Sequence, residues 1–397
     1  MRPRFREILL CAVLAAGPAA ATVVEKDGLH ATFSTLITTP LIIEGLTNDN
    51  EGNLYAPGRA VTAGEPCPVW RTSTENPALV VVGLIPAPSA TGLCSPSGLA
   101  FGPDGNLYVT QTDRIYRFTP NASSPPTALL FVTGVPGTNG LAFDRGGNLW
   151  TGDGTTGVGR VWRITPAGVV TEVLRIQPMA NEVGLAAGVG GIGRDVRTLP
   201  PGTITVTPTS RNAANTLGSQ PLVANGLAFD RRGNLWIADT ARGAIWKVRF
   251  DSHGVVSSPM GCDTTFPPNT LCLSNVFVAH PYLEGADGLV LDVAGNMWIS
   301  ANERNAIVYV QANGLVVFEV FRNAPDAATQ LRNTGPLESP ASPVLAGHKF
   351  CTSNSDGNRR DNSPATAGEI GGAGQPRGKI SCLDQRVTVR GMTLPVQ

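Results

Sequence analysis

Several kinds of residue are scarce in this sequence, and each scarcity excludes a class of function. Charged residues make up only 15%, and 30 basic residues balance 30 acidic ones, so the chain lacks the basic surface that nucleic-acid binding requires. Histidine occurs four times and no CxxC pair is present, which disfavours a zinc site. No apolar run approaches the roughly 20 residues of a membrane-spanning helix. We therefore expect neither a nucleic-acid partner nor a membrane span.

The first residues have the layout of a secretory signal peptide. Arg2, Arg4 and Arg6 precede a short apolar run at residues 8–16, and small residues follow it. This pattern predicts a signal peptide over residues 1–21 and a secreted or periplasmic protein. The predicted mature chain, 22–397, is expected to form a single domain.

Six cysteines remain once this segment is set aside. An even number in an exported chain indicates disulfides, although the sequence alone permits 15 connectivities. Pairing each cysteine with its neighbour in sequence predicts three short-range disulfides and a C-terminal segment tied by one of them: Cys67–Cys94, Cys262–Cys272 and Cys351–Cys382.

One phrase recurs along the chain. The string "NGLAFDRRGNLWIADT" begins at Asn225, and the nearly identical "NGLAFDRGGNLWTGDG" begins at Asn139. Each copy holds short β-branched and aromatic runs around an Asp- and Gly-containing turn, followed by a second hairpin. Four short strands per unit of about 40–45 residues predict an all-β, six-bladed β-propeller with NHL-like repeats. Five copies are present, beginning at Glu44, Ser97, Asn139, Asn225 and Asp287.

The spacing of the copies locates an insertion and the closing blade. Gly98 and Gly140 are one blade apart, whereas Gly226 follows Gly140 by twice that interval. The extra residues, near 176–222, lack a "GNLW" word, and we interpret them as a long insertion, with a degenerate extra blade as the alternative. The sixth blade is expected to combine "ASPVLAGHKFCTSNS" with strands from a terminus, which removes the sheet edges.

Most of the repeated words predict architecture. Trp150, Trp236 and Trp298 are expected to pack between blades, and Asp153 and Asp239 to begin the second turn of their blades.

The residue before each repeated glycine differs from copy to copy. In a propeller these positions form a ring around the central channel. The carboxylates of Glu44 and Asp287 and the amides of Asn139 and Asn225 would then form an oxygen cage that suits Ca²⁺, or less specifically Mg²⁺ or Mn²⁺. The alternative is that Ser, Asn and Asp before Gly are ordinary turn residues. Glu44 favours the metal, because Glu is not a favoured turn former.

The words "EG" at Glu44, "NGLAFD" at Asn225 and "DGLVLDVAGNMWIS" at Asp287 resemble the senescence-marker-protein/gluconolactonase family of six-bladed propellers over most of the mature chain. The resemblance implies a divalent metal, most simply Ca²⁺, held by Glu44, Asn225 and Asp287. It also implies lactone opening with Asp287 as the base. Asn139 is the implied substrate-binding residue, although the string here is "TNG" where that family has "NDG".

The resemblance and the predicted signal peptide together indicate an exported, Ca²⁺-dependent hydrolase that opens a lactone or related ester in the central channel, and we expect a monomer. Two alternatives stay open. The "GNLW" words also resemble NHL-type propellers that bind partners without catalysis, and strictosidine-synthase-like propellers share the architecture with different chemistry.

Overall fold

Short strands, many of them joined by Asp- and Gly-containing turns, are the main regular structure of the described residues. The structure is a computed structural model that describes residues 24–25, 31–156, 158–176, 224–264, 266–364, 366–372 and 377–393. The predicted signal peptide at 1–21 and almost all of the predicted insertion near 176–222 lie outside these residues, so both stay predictions. No α-helix occurs in the described ranges, where the helical elements are 3₁₀ turns at Leu273–Asn275, Pro281–Leu283 and Asn302–Arg304.

Six separate sheets form the six blades of a propeller, as the sequence predicted. Blade 1 consists of β3 (Thr47–Asn48), β4 (Asn53–Pro57), β5 (Cys67–Ser73) and β6 (Val80–Ile85). Blade 2 consists of β7 (Pro96–Phe101), β8 (Leu107–Gln111), β9 (Arg114–Phe118) and β10 (Leu129–Thr133). Blade 3 consists of β11 (Thr138–Phe143), β12 (Leu149–Asp153), β13 (Arg160–Ile164) and β14 (Val170–Arg175).

The second half of the ring repeats the plan. Blade 4 consists of β15 (Ala224–Phe229), β16 (Leu235–Asp239), β17 (Ala244–Val248) and β18 (Val276–Ala279). Blade 5 consists of β19 (Ala286–Leu291), β20 (Met297–Ala301), β21 (Ala306–Val310) and β22 (Val316–Arg322), and β1 (Val24–Glu25) pairs with β22 in parallel. Blade 6 consists of β23 (Pro340–Ala346), β24 (Lys349–Asn354), β25 (Gly378–Leu383) and β2 (Phe33–Thr39).

The ring is closed by a strand from the N-terminal side, as expected. β2 pairs antiparallel with β25 from Phe33↔Leu383 to Thr39↔Gly378 and forms the outer edge of blade 6. The first strands of blades 1–5 and β23 contact one another around the axis, which makes them the innermost strands.

The repeated aromatic words pack the blades against each other. The ring of "GNLY" or "GNLW" lies edge-on against the Phe that ends the first strand of the next blade: Tyr55–Phe101 at 5.0 Å, Tyr108–Phe143 at 5.1 Å and Trp150–Phe229 at 5.6 Å between ring centroids. Such pairs stabilise beyond the area they bury. Trp150, Trp236 and Trp298 are all buried, so their predicted packing role is confirmed.

The turn inside each word is held by its own side chains. Asp230 Oδ1 accepts from the backbone N–H groups of Arg232 and Asn234, and its Oδ2 accepts from the Trp236 indole at 3.1 Å. Gly233 adopts φ +79° in this turn, a conformation that favours glycine. Asp239 is fully buried and binds the backbone N–H of Arg242 in the second turn. The words therefore specify hairpins as well as packing.

Three disulfides join the cysteines that the sequence analysis paired. Cys67–Cys94 links β5 to the segment before blade 2, Cys262–Cys272 closes a loop between β17 and β18, and Cys351–Cys382 crosses from β24 to β25. Disulfides of this kind persist in oxidising compartments. No helix among the described residues could span a membrane.

Candidate functional site

In four blades the residue–glycine pairs that begin the repeated words lie in β-bulges of the innermost strands. In blades 2–5 the register shifts across each pair, for example between Ala224 and Leu227 in β15 and between Ala286 and Leu289 in β19. A bulge redirects side chains at the end of a strand. These four pairs are therefore not turns, whereas Glu44 and Gly45 precede β3.

The repeated glycines are the points where the innermost strands touch. A Cβ added to Gly98 would lie 2.1 Å from the carbonyl oxygen of Asn139, and one added to Gly226 would lie 2.5 Å from that of Asp287. Only glycine permits this approach. Each glycine thus approaches the residue that stands before the repeated glycine in the next blade. The residues before the glycines therefore form a ring, which we call the inner column: Glu44, Ser97, Asn139, Asn225 and Asp287.

A second set of residues lies beside the inner column. Ala224 pairs with Asp239, and Ala286 pairs with Ala301. The residue after each member of a pair therefore has the residue after the other member as its neighbour, at one end of the channel. These neighbours lie fifteen positions after the inner-column residues in blades 1–5. We call them the outer column: Arg59, Thr112, Gly154, Thr240 and Asn302.

In blade 1 the two columns form an ion pair. The guanidinium of Arg59 contacts the Glu44 carboxylate directly, and its Nε donates to the carbonyl of Pro96 at 3.3 Å. The Ser97 hydroxyl donates to Glu44 Oε2 at 3.4 Å. Burial and the charge of Arg359 lower the pKa of Arg59 to about 10, so Arg59 stays protonated at neutral pH.

In blades 4 and 5 the columns surround the Asp287 carboxylate with amides. Asn302 Nδ2 donates to Asp287 Oδ2 at 2.8 Å, and Asn225 Nδ2 donates to the Thr240 hydroxyl at 3.1 Å. Burial raises the pKa of Asp287 to about 6, against the opposing effects of the Asn302 hydrogen bond, the charges of Arg359 and Arg59, and a hydrogen bond from Asn225. A carboxylate with a pKa near neutrality is well suited to accept and return a proton.

A loop from blade 6 brings Arg359 to the same end of the channel. It begins directly after β24, whose last residue, Asn354, pairs with Pro340 at the start of β23. Ion pairs fix the loop on one side of Arg359, because the side chain of Arg360 binds Glu284 and Asp361. Arg359 is close enough to lower the pKa of both Asp287 and Arg59 through its charge.

Asn139 occupies the inner column between Ser97 and Asn225. Its side chain is buried, and its Nδ2 lies 2.7 Å from the point that a Cβ on Gly154 would occupy. Glycine in the outer column of blade 3 therefore leaves room for this amide.

The donor types at this site fit a hard divalent cation. Two carboxylates and an amide, from Glu44, Asp287 and Asn225, are the oxygen ligands that Ca²⁺ prefers. Within the described ranges no cluster of three His, Cys, Asp or Glu side chains is close enough to hold a metal ion, so amide oxygens would have to complete the set. Because Arg59 already binds Glu44, a cation there would compete with this guanidinium.

Solved structures share this architecture at low sequence identity. A calcium-binding protein, regucalcin from Agrobacterium tumefaciens, matches with a TM-score of 0.55 and 16% identity over 95% of this chain and 99% of that one. A gluconolactonase from Xanthomonas campestris matches with a TM-score of 0.52 and 15% identity over 94% and 100%. The chain shares the propeller fold of these proteins.

The same fold also carries different chemistry. The aldose sugar dehydrogenase from Streptomyces coelicolor, solved with bound PQQ, matches with a TM-score of 0.53 and 15% identity over 90% of this chain and 99% of that one. No family model matches the sequence, and no curated protein matches it. The function of this propeller therefore has to be argued from its site.

The sequence analysis found the inner column but missed three residues that contact or approach it. Arg59 and Asn302 could have been found from the constant spacing of fifteen residues, because that spacing follows from the length of the first hairpin in each copy. Arg359 had no such signal, since the loop that carries it belongs to blade 6, which lacks the repeated word.

Proposed function

We propose that this protein is a metal-dependent hydrolase of the lactonase type, with its site at the end of the channel where the two columns meet. The observation that carries the proposal is the environment of Asp287, a buried carboxylate at the channel end with an amide donor at 2.8 Å. The fold shared with a gluconolactonase agrees with it. Export through the predicted signal peptide is part of the proposal, and three disulfides support it.

Glu44, Asn225 and Asp287 would hold a divalent cation, Ca²⁺ in our proposal, which supplies Lewis-acid polarisation of a carbonyl oxygen when bound. Asp287 accepts a proton from the water that attacks the lactone carbonyl carbon, and the ring C–O bond then breaks. The proton returns to the departing ring oxygen, which leaves a hydroxy acid. Asn302 holds the Asp287 carboxylate in one orientation, and Asn139 is placed to contact the substrate.

A panel of neutral and acidic lactones, assayed with and without chelator, tests this proposal. We expect hydrolysis of at least one lactone, its loss on chelation, its recovery with Ca²⁺, and no activity in Asp287→Asn. Thr112→Ala is the matched control, because Thr112 belongs to the outer column and is not among the proposed ligands. Activity that survives chelation would refute the metal dependence, and absence of hydrolysis across the panel would refute the lactonase function.

A further inference from the structure

The guanidinium of Arg359 has few partners among the described residues. Its Nη1 donates to the adjacent carbonyl of Asn358 at 2.9 Å, whereas its Nε is buried without a hydrogen-bond partner. No carboxylate in the described ranges forms an ion pair with it. A buried N–H without a hydrogen-bond partner lowers the stability of the folded state. This N–H lies at the end of a channel.

The loop that carries Arg359 is held rigidly on both sides. The backbone N–H of Arg360 donates to Glu303, and the side chain of Arg360 is buried against Glu284. On the other side, the backbone N–H of Asp356 donates to the carbonyl of Glu338 at 3.0 Å. Arg360 and the backbone of Asp356 therefore fix the loop, whereas no carboxylate among the described residues pairs with Arg359.

Among the described residues, this end of the channel holds two carboxylates, of Glu44 and Asp287, and the guanidiniums of Arg59 and Arg359. Arg59 is already bound to Glu44. The Ser353 hydroxyl in β24, shortly before the Arg359 loop, donates to the backbone carbonyl of Glu44, so the loop leaves blade 6 beside the inner column. The charge of Arg359 also lowers the pKa of both Asp287 and Arg59. The guanidinium of Arg359, with an unpaired N–H and a second cation at the same end of the channel, suits an oxyanion, because it presents several N–H donors in a fixed plane.

From this arrangement we infer that Arg359, with Arg59 beside it, binds an oxyanion group, carboxylate or phosphate, on the ligand that enters the channel. The inference rests on the proposed function and narrows its substrate class to acidic lactones or esters. The reacting carbonyl would lie at Asp287, and the charged group of the same molecule would lie at Arg359.

Kinetics on three matched lactones test the substrate class: a neutral aldonolactone, its counterpart with a terminal carboxylate, and its counterpart with a terminal phosphate. We expect an acidic lactone to have the lowest KM. Arg359→Gln should raise that KM on the order of tenfold, the usual effect of losing a charged hydrogen bond, and leave the neutral lactone within about twofold. Arg359→Lys should reverse part of this rise in KM. The acidic lactone with the lower KM shows whether the site prefers a carboxylate or a phosphate.

Arg163→Gln is the matched control. Arg163 lies in β13 of blade 3, and its Nε is also buried without a hydrogen-bond partner among the described residues. Unlike Arg59, it belongs to neither the inner nor the outer column. We expect its KM values for all three lactones to equal those of the wild type. Equal effects of Arg163→Gln and Arg359→Gln would overturn the inference, because a general loss of packing would then explain both.

Direct binding separates this inference from the proposed function. Calorimetry of chelator-treated Asp287→Asn protein with an open-chain dicarboxylate, a phosphate ester and the neutral polyol of the same length needs no hydrolysis. We expect an anion to bind, with affinity that falls as salt rises and falls about tenfold in Arg359→Gln. Anion binding without lactone hydrolysis would reject the lactonase and keep the anion site. Affinities that are equal for anions and polyol, or unchanged by Arg359→Gln, would overturn the anion site whatever the hydrolysis results.

Discussion

Asn302 donates its side-chain amide to the Asp287 carboxylate at 2.8 Å, from the position fifteen residues further along the chain. Replacing Asn302 with alanine removes this bond while leaving the bulge and the blade. We expect kcat/KM for lactone hydrolysis to fall on the order of tenfold, as for loss of a hydrogen bond to a charged group. Thr112→Ala, at the equivalent position of blade 2, is the control and should leave kcat/KM unchanged. Equal losses in both variants would contradict a specific role for Asn302.

The proposed metal ligands make a graded prediction. Asp287→Ala should remove the bound Ca²⁺ and abolish hydrolysis, Asn225→Ala should weaken Ca²⁺ binding through loss of one neutral ligand, and Ser97→Ala should do neither. Calorimetric titration of Ca²⁺ into chelator-stripped protein measures all three against the wild type. Absence of a saturable site near one equivalent in the wild type would favour the non-catalytic scaffold instead.

The contacts of the repeated glycines predict a stability effect. A Cβ on Gly226 would lie 2.5 Å from the carbonyl oxygen of Asp287 and 2.7 Å from the Cα of Gly288. We expect Gly226→Ala to lower the free energy of unfolding by about 1–3 kcal/mol, because two strands must separate. In Gly146→Ala the nearest atoms are the side-chain ends of Asn148 and Asp144 at 3.3 Å, so this control should cost less. Chemical denaturation measures the difference.

Burial raises the pKa of Asp356 to about 6, and the charge of Glu338 adds to the increase, whereas a hydrogen bond from Asn362 and the charge of Lys379 oppose it. A carboxyl group whose pKa is higher in the folded state than in the unfolded state destabilises the fold as pH rises through that interval. For Asp356 the interval runs from about 4 to about 6. Asp356→Asn should therefore stabilise the protein by about 1–2 kcal/mol above pH 6 and have little effect at pH 4.

Melting temperatures of the wild type and Asp356→Asn across pH 4–8 test whether the substitution stabilises the protein only at the higher pH values. Asp326→Asn is the control: its pKa is lowered by hydrogen bonds from Thr329 and Ala328, so it should not stabilise the protein at high pH. A constant difference between Asp356→Asn and the wild type at every pH would contradict the titration of Asp356.

Two tryptophans in equivalent positions differ in one hydrogen bond. The Trp236 indole donates to Asp230 at 3.1 Å, whereas the Trp298 indole nitrogen has no hydrogen-bond partner among the described residues. Replacement by phenylalanine removes similar volume in both blades. We expect Trp236→Phe to cost about 1 kcal/mol more free energy of unfolding than Trp298→Phe, and urea denaturation compares them directly.

The repeated words were sufficient to predict the blades, the closing strand and the ring of inner-column residues, because each word encodes a hairpin, a bulge and an inter-blade contact within about twenty residues. Those contacts are local or recur at a fixed interval, so the residues that make them recur in the sequence once per blade. The role of the glycine in each pair was not predicted. It lets one innermost strand touch the next.

The remainder of the site depends on contacts that have no period. Arg359 reaches the channel because buried ion pairs from Glu284 and Asp361 hold the adjacent Arg360, and these partners are scattered over blades 5 and 6. The Glu44–Arg59 ion pair is an intermediate case. The spacing of fifteen residues between Glu44 and Arg59 was visible in the sequence. Whether the Glu44 carboxylate binds a metal ion or the Arg59 guanidinium depends on how the two side chains are placed, which the spacing does not give.

The pairing of β2 with β25 imposes an order on how the molecule is made. Phe33 emerges from the ribosome long before Leu383, its partner in the ladder, so blade 6 cannot be completed until nearly the whole chain has been synthesised. During that interval β2 has no sheet to join, and its unpaired edge is open to pairing with other chains. Ring closure must therefore be a late, long-range step, and the chain depends on protection of its early strands until that step occurs.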